Sequence, residues 1–317
     1  MELYNIKNKK LTRVESNPFD LEKDIQNIIE ENTQELFNLQ LVSTEFPVEG
    51  FRLDSLCFDE VNKSFVIIEY KKTKSYSVID QGYSYLSLML NNKSDFILEY
   101  NENNKDTLKR GGVDWSQSRI IFISPSFNTY QKNSVNFKDV PFELWEIKRF
   151  SNNIISLNQH LPSSTESIQK FGENKNSVIK SVSREVKVYD EDFHYNSISD
   201  KTKTLFLKLK EEILSFDDVL IDSKKHYISF KKNNVIVCYT IFRKEHLIIE
   251  IVKGNLKTDG SKSKGFFTLD DPKKVSKILN FKFKNGTKRE YYHIKLSNIE
   301  QVGYLLLLIK QKYDTFD

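Results

Sequence analysis

The chain reads as an α/β (α+β) protein in two parts, and three observations carry that prediction. From residue 17 to about 150, short apolar runs bounded by turn residues alternate with segments of helical apolar spacing. A Ser- and Asn-rich stretch from 151 to 194 then breaks both patterns. Beyond it a second series of strands and helices begins, and the charge changes sign. Residues 1–150 carry 19 Lys+Arg against 23 Asp+Glu, whereas residues 151–317 carry 29 against 21. With 317 residues the chain is long enough for two cores. The expected organisation is therefore a domain over 1–150, a linker over 151–194, and a smaller α+β domain over 195–317.

The first helix is expected after Asn17-Pro18-Phe19-Asp20. In the segment that follows, apolar side chains fall at 21, 25, 28, 29, 36 and 37, with Asp20 as N-cap. FRLDSLCF, from Phe51, alternates as a half-buried strand. Asn62-Lys63-Ser64 then reads as a turn and Phe65–Ile68 as a buried strand. Side chains alternate faces along a strand, so Glu69 and Lys71 share a face while Tyr70 points away. An antiparallel hairpin sets Asp54 opposite them. Gln81 and Tyr85 are four apart and share one face of the next helix. RIIFIS (Arg119–Ser124) and VPFELWEIKRF (Val140–Phe150) supply further strands. Asp114, Trp115, Arg119 and Gln131 surround the first of these as candidate substrate contacts, although Trp115 and Trp145 read as packing residues.

Asp54, Glu69 and Lys71 have the clearest chemistry. An ionised Glu directly after Val66-Ile67-Ile68 is costly to bury unless it is paired or binds a metal. Carboxylate oxygens suit Mg²⁺, which binds through one or two carboxylates plus substrate phosphates. A lysine beside that ion can orient an attacking water or stabilise charge developing on a phosphate. In a chain with 29% charged residues the bare triplet also arises on solvated strand faces. The apolar flank of Glu69 argues for the site.

The order of these residues resembles the PD-(D/E)XK nuclease superfamily, which has the restriction-endonuclease-like fold. Asp54 and Glu69-Tyr70-Lys71 match its signature, with Leu53 at the variable Pro position, and Gln81-Gly-Tyr-Ser-Tyr85 matches the Gln-x-x-x-Tyr element of RecB-type members. The resemblance covers roughly residues 17–150. It implies a mixed sheet flanked by helices and a Mg²⁺ or Mn²⁺ ion held by Asp54 and Glu69, with the Tyr70 carbonyl as a further ligand. Lys71 would orient the water, and Gln81 and Tyr85 would hold the site and substrate strand. Family members often place a glutamate on the first helix near the metal. Glu22 corresponds best by position, with Glu30 as the alternative. Lys72 and Lys74, beyond the strand, are expected to meet nucleic acid.

In the second part, ISDKTKTLFLKLKEEILSF is expected to be a helix capped by Ser199 or Asp200. A three-stranded meander, a helix opening at Asp271, a strand and a last helix should follow. The layout resembles a small uncharacterised domain found behind nucleases of this kind. Lys257, Lys262, Lys264, Lys284, Lys288 and Arg289 are interleaved with Phe266, Phe267, Phe281, Phe283, Tyr291 and Tyr292. Basic groups neutralise phosphates and exposed aromatics stack on bases, so this stretch is expected to bind nucleic acid.

Composition narrows the remaining classes. No apolar run approaches 18 residues, so no membrane partner is expected. Cys57 and Cys238 read as buried free thiols, and with the polar N-terminus they point to the cytoplasm. The five histidines form no ligand-spaced pair, and no Walker-type loop or nucleophile elbow is present. The expectation is a metal-dependent nuclease acting on DNA, suited by analogy to restriction or anti-phage defence. A homodimer or a defence-system partner protein is compatible with it. The alternative is a catalytically silent nucleic-acid-binding or assembly module on the same fold.

Overall fold

The computed structural model describes residues 2–72, 77–105, 107–164, 166–168, 177–263 and 265–316. It divides into two units, Met1–Val188 and Tyr189–Asp317.

The first unit begins with a hairpin of β1 (Tyr4–Lys7) and β2 (Lys10–Arg13), followed by helices α1 (Glu22–Glu31) and α2 (Thr33–Phe37). Strands β3 (Gln40–Val48), β4 (Phe51–Asp59) and β5 (Ser64–Tyr70) come next, then α3 (Val78–Asn91) and α4 (Lys93–Asn103). β6 (Arg119–Ser124), α5 (Thr129–Ser134), β7 (Phe142–Phe150), β8 (Ile154–His160) and α6 (Ser177–Glu185) complete the unit. The main sheet has the order β3-β4-β5-β6-β7-β8. β3, β4 and β5 pair antiparallel, β5, β6 and β7 parallel, and β8 returns antiparallel to β7. Every residue of β5 is buried, as a central strand covered on both faces requires.

Each face has its own core. Phe65 and Ile67 of β5 pack with Leu86, Met89 and Phe96 of α3 and α4. Val66, Ile68 and Tyr70 pack with Ile25 and Ile29 of α1. The strand alternation read from the sequence therefore assigns Glu69 and Lys71 to the α3 side. Trp145 is buried and Trp115 half-buried, both in packing roles.

Several sequence expectations need correction. The single helix expected over 21–37 is broken at Asn32 into α1 and α2. The α1 N-cap is Leu21, whose N–H donates to Asp24 Oδ2 at 3.0 Å; Asp20 does not cap it. The stretch 151–194 is not a free linker. It supplies the edge strand β8 and helix α6, whose Val182 enters the core beside α3, and the unit boundary falls after Val188. An edge strand buries little, so β8 carries no apolar period that a reading by pattern would detect. Arg119 is tied into ion pairs with Asp59 at 3.2 Å and Glu143 at 2.9 Å, and Gln131 closes the capping box of α5.

The second unit has α7 (Glu191–Tyr195), α8 (Asp200–Leu214), β9 (Val219–Ser223), β10 (Ile228–Lys232), β11 (Val235–Arg243), β12 (His246–Leu256), β13 (Lys277–Lys282), β14 (Lys288–Leu296) and α9 (Val302–Tyr313). Its antiparallel sheet has the order β13-β14-β12-β11-β10-β9, with α8 and α9 packed into the core on one face. Ser199, not Asp200, caps α8. No helix opens at Asp271. Its carboxylate instead accepts from the Ser276 N–H and hydroxyl, both at 2.8 Å, and from Tyr304 at 2.8 Å, pinning a loop that leads into β13. Cys57 and Cys238 are buried free thiols, and burial pushes both thiols well above their ordinary pKa.

Gly82 fixes how closely α3 approaches the sheet. A Cβ added there would lie 2.5 Å from the ring of Phe142 on β7, which is itself wedged against Tyr83 and Phe122. Gly82→Ala is expected to destabilise the protein by about 1–3 kcal/mol through overpacking. A urea titration reads this as a lower midpoint, and Phe142→Leu in the same chain is expected to recover part of the loss.

Candidate active site

The β4–β5 ladder pairs Ser55 with Ile68, so one step further along it Asp54 faces Glu69. The Tyr70 N–H donates to Asp54 Oδ2 at 2.9 Å, which fixes the carboxylate across the strand end. Glu69 is 3% exposed. Its Oε1 accepts from Lys71 Nζ at 2.6 Å and from Gln81 Nε2 at 2.8 Å, with the Tyr85 hydroxyl at 3.5 Å. Gln81 also donates to Tyr85 at 3.0 Å. All these donors converge on a single oxygen. Glu69 Oε2 is buried and has no hydrogen-bond partner among the described residues.

An unpartnered buried carboxylate oxygen is costly, and the electrostatics reflect it. Burial first, and then the Asp54 carboxylate, push the Glu69 pKa up to about 7 despite Lys71 and Gln81. Asp54 is raised as well: burial outweighs the Tyr70 N–H and the Lys71 ammonium, and Glu45 and Glu22 add to the rise. Burial works against the charged form of Lys71, but Glu69 and Asp54 overcome it and hold its pKa above the ordinary value. The set is thus two carboxylates that resist ionising together beside a lysine that stays charged.

The opposite face of the sheet braces this arrangement. Gln26 of α1 is buried and donates from Nε2 to the Asp54 carbonyl at 2.9 Å. The same group donates to Glu30 Oε1 at 2.9 Å, and that oxygen also accepts from Thr44 and Ser55, each at 2.6 Å. Ser55 Oγ lies 2.9 Å from the Tyr70 hydroxyl. Glu30 is therefore held inside a network behind the site. Glu45 is a further neighbour that pattern reading misses. It has φ 56° within β3 and pairs with Lys23 at 3.2 Å and with Arg52.

Glu22, expected near the metal, starts α1 on the opposite sheet face but close enough for its charge to act on Asp54 and Lys71. Its Oε1 accepts from the Lys72 N–H at 2.6 Å, clamping the chain just beyond β5. Among the described residues no three Asp, Glu, His or Cys side chains gather closely enough to hold a metal ion. The two carboxylates that meet at the strand end are Asp54 and Glu69. The Lys72 ammonium contacts the Asp20 carbonyl. Lys74 and Lys264 lie outside the described residues.

Of the basic residues expected to bind nucleic acid in the second unit, Lys257, Lys262 and Lys288 are exposed and Lys284 is half-buried. Arg289 requires correction. It is buried, donates to Asn255 Oδ1 at 2.9 Å, lies 5.1 Å from the Phe283 ring centroid, and shares hydrogen bonds with Tyr239 and Tyr291. Phe267, Phe283, Tyr291 and Tyr292 are also buried, so they are not free to stack on bases. Tyr291 and Tyr292 are neighbours on β14 and face opposite sides of the sheet, yet both are covered, which a list of residue types does not reveal.

A Haemophilus influenzae protein of uncharacterised function is 40% identical over 314 residues, covering 98% of this chain and 99% of that protein. The two chains belong to one family. Within it, residues 191–315 match a family described as "Domain of unknown function (DUF5655)", which takes in nearly all of the second unit. Among solved structures, a repair endonuclease from Pyrococcus abyssi aligns with 38% of this chain and 45% of its own at 19% identity, with a TM-score of 0.24. An EndoMS–double-stranded DNA complex aligns with 43% of this chain and 50% of its own at 16% identity, with a TM-score of 0.28. The chain thus spans about half the length of either structure.

The raised Glu69 pKa has a measurable sign. The folded state holds its proton up to about pH 7, whereas an unfolded Glu releases it near 4.5. The stability this contributes is complete below pH 4.5 and is lost as pH rises through 7. In metal-free buffer, Glu69→Gln is expected to remove that dependence. By thermal melting the variant should match the parent near pH 5 and exceed it at pH 8, by up to roughly 3 kcal/mol.

Proposed function

We propose that the first unit is a divalent-metal-dependent nuclease that hydrolyses phosphodiester bonds in DNA. One observation carries this reading: Glu69 is buried with Oε1 saturated by donors and Oε2 left without one among the described residues, beside Asp54 and Lys71. A cation is the partner that such an oxygen lacks. It would also offset the burial that raises both carboxylate pKa values, and the Asp54 charge that adds to the rise at Glu69.

Asp54 and Glu69 would hold Mg²⁺ or Mn²⁺, with the Tyr70 carbonyl as the further ligand the family resemblance implies. The bound ion would supply Lewis-acid stabilisation of charge on the phosphate and a lowered pKa for water. The other steps belong to the chain. Gln81 and Tyr85 hold Glu69 Oε1 so that Oε2 keeps its orientation. The Tyr70 N–H fixes Asp54 from one side and Gln26 holds its backbone from the other. Lys71 stays protonated, so it orients a water by donating to its oxygen and meets developing negative charge on the phosphate. Glu22 clamps the chain after β5 and, close enough for its charge to act on Asp54 and Lys71, would assist the ion through an outer-shell water.

The test is incubation of the full chain with linear, circular and single-stranded DNA in Mg²⁺, Mn²⁺ or EDTA. Cutting is expected with metal and not with EDTA. Asp54→Ala and Lys71→Ala should each lower the rate by roughly 10²–10³-fold or more without loss of fold. Binding of DNA without cutting under every metal condition would favour a silent binding module instead.

A further inference from the structure

The N-terminal hairpin is built to be seen by something outside the fold. β1 and β2 form a two-stranded sheet of their own, and all eight of their residues are exposed. Ile6 and Leu11 face each other across the pair at 73% and 64% exposure. An isolated two-stranded hairpin has little stability in water by itself. Its turn is Asn8-Lys9, with φ of 51° and 64°, the two-residue geometry that matches strand twist and holds a hairpin straight. Glycine suits the second of those positions best, yet Lys9 occupies it between Lys7 and Lys10. None of these three lysines forms an ion pair with a described residue. Three cations with no ion-pair partner among the described residues thus crowd the tip of the ribbon.

The root of the hairpin lies at the same end of the sheet as Lys71. β5, β6 and β7 run parallel, so Lys71, Ser124 and Phe150 mark one sheet end. Past Ser124, β6 no longer borders β7, and residues 15–17 take its place. Ser16 bridges Phe150, the Asn17 N–H donates to the Arg149 carbonyl at 2.8 Å, and the Ser151 N–H to the Glu15 carbonyl at 2.9 Å. Arg149 locks this root by donating to the Asn17 and Pro18 carbonyls. Ile123 is level with both Tyr70 and Trp145, so Phe150 lies five residues beyond the level of the site. That is roughly 17 Å at strand spacing, or about five base pairs of duplex.

We propose that this hairpin is a duplex-DNA grip, in which Lys7, Lys9 and Lys10 neutralise backbone phosphates while the ribbon lies along a groove. A two-stranded ribbon fits the major groove, and the charge is complementary to DNA and not to an apolar partner. The inference rests on the nuclease reading, since it identifies duplex DNA as the ligand held next to Asp54 and Glu69.

Binding is measured by fluorescence anisotropy on a labelled 30-base-pair duplex in EDTA, with the full chain carrying Asp54→Ala, so that cleavage plays no part. Lys7→Glu, Lys9→Glu and Lys10→Glu together should weaken binding at least tenfold at 100 mM salt. They should also flatten the slope of log K against log[salt] by about 2–3, near 0.9 per lost contact. Arginine at the same three positions should retain both, and melting curves should be unchanged because all three side chains are exposed. An unchanged affinity and slope, or no duplex binding by the parent, would overturn the grip whether or not the chain cuts DNA. It would equally be overturned if the glutamates altered only self-association in sedimentation or binding to anionic phosphatidylserine vesicles. Loss of duplex binding in a chain that cuts nothing would leave the grip standing and remove the nuclease reading.

Discussion

A carboxylate buried at the end of a central strand is the constraint on which the first unit depends. Glu69 follows Ile67 and Ile68 inside a sheet covered on both faces, where an ionised oxygen without partners is costly. The fold answers with Lys71, Gln81 and Tyr85 on one oxygen and, among the described residues, leaves the other bare. A protein selected only for stability would place an apolar residue there. The bare oxygen makes sense if a cation belongs beside it.

The scaffold around that oxygen is correspondingly stiff. β5 is held by β4 on one edge and β6 on the other, and the Lys71 N–H is anchored to the Ile123 carbonyl at 2.9 Å. α3 is drawn onto the sheet by the missing side chain at Gly82, which sets the height of Gln81 and Tyr85. Behind the sheet, Gln26 and Glu30 connect α1, β3 and β4 into one hydrogen-bonded bracket that ends on the Asp54 carbonyl. Polar groups supported in this way keep their orientation before any ligand arrives, the preorganisation on which electrostatic catalysis would rely.

The central part of this arrangement was legible from residue order alone. Alternation along β5 separates Glu69 and Lys71 from Tyr70, and the four-residue spacing of Gln81 and Tyr85 brings both to Glu69. Other elements escaped for physical reasons. β8 and α6 hide in a Ser/Asn-rich stretch because an edge strand and a peripheral helix need few apolar residues. Gln26 and Glu45 act through tertiary contacts that no spacing rule encodes. Glu22, on the opposite sheet face, clamps the Lys72 N–H while its charge still acts on Asp54 and Lys71. In the second unit, packing on both faces of the sheet and in the adjoining loops buries Arg289 and most of the aromatics that composition alone would place against nucleic acid. The basic character of that half is real, but it says less about a binding face than the tip of the N-terminal hairpin does.

Metal binding to the full chain tests the central claim most directly, because it does not depend on knowing the substrate. Isothermal titration with Mn²⁺ at several pH values should show a carboxylate site whose affinity rises with pH up to about 7, as the proton on Glu69 ceases to compete. Glu69→Gln and Asp54→Ala should each abolish it. Absence of Mn²⁺ binding at pH 8, or binding that survives both substitutions, would contradict the account.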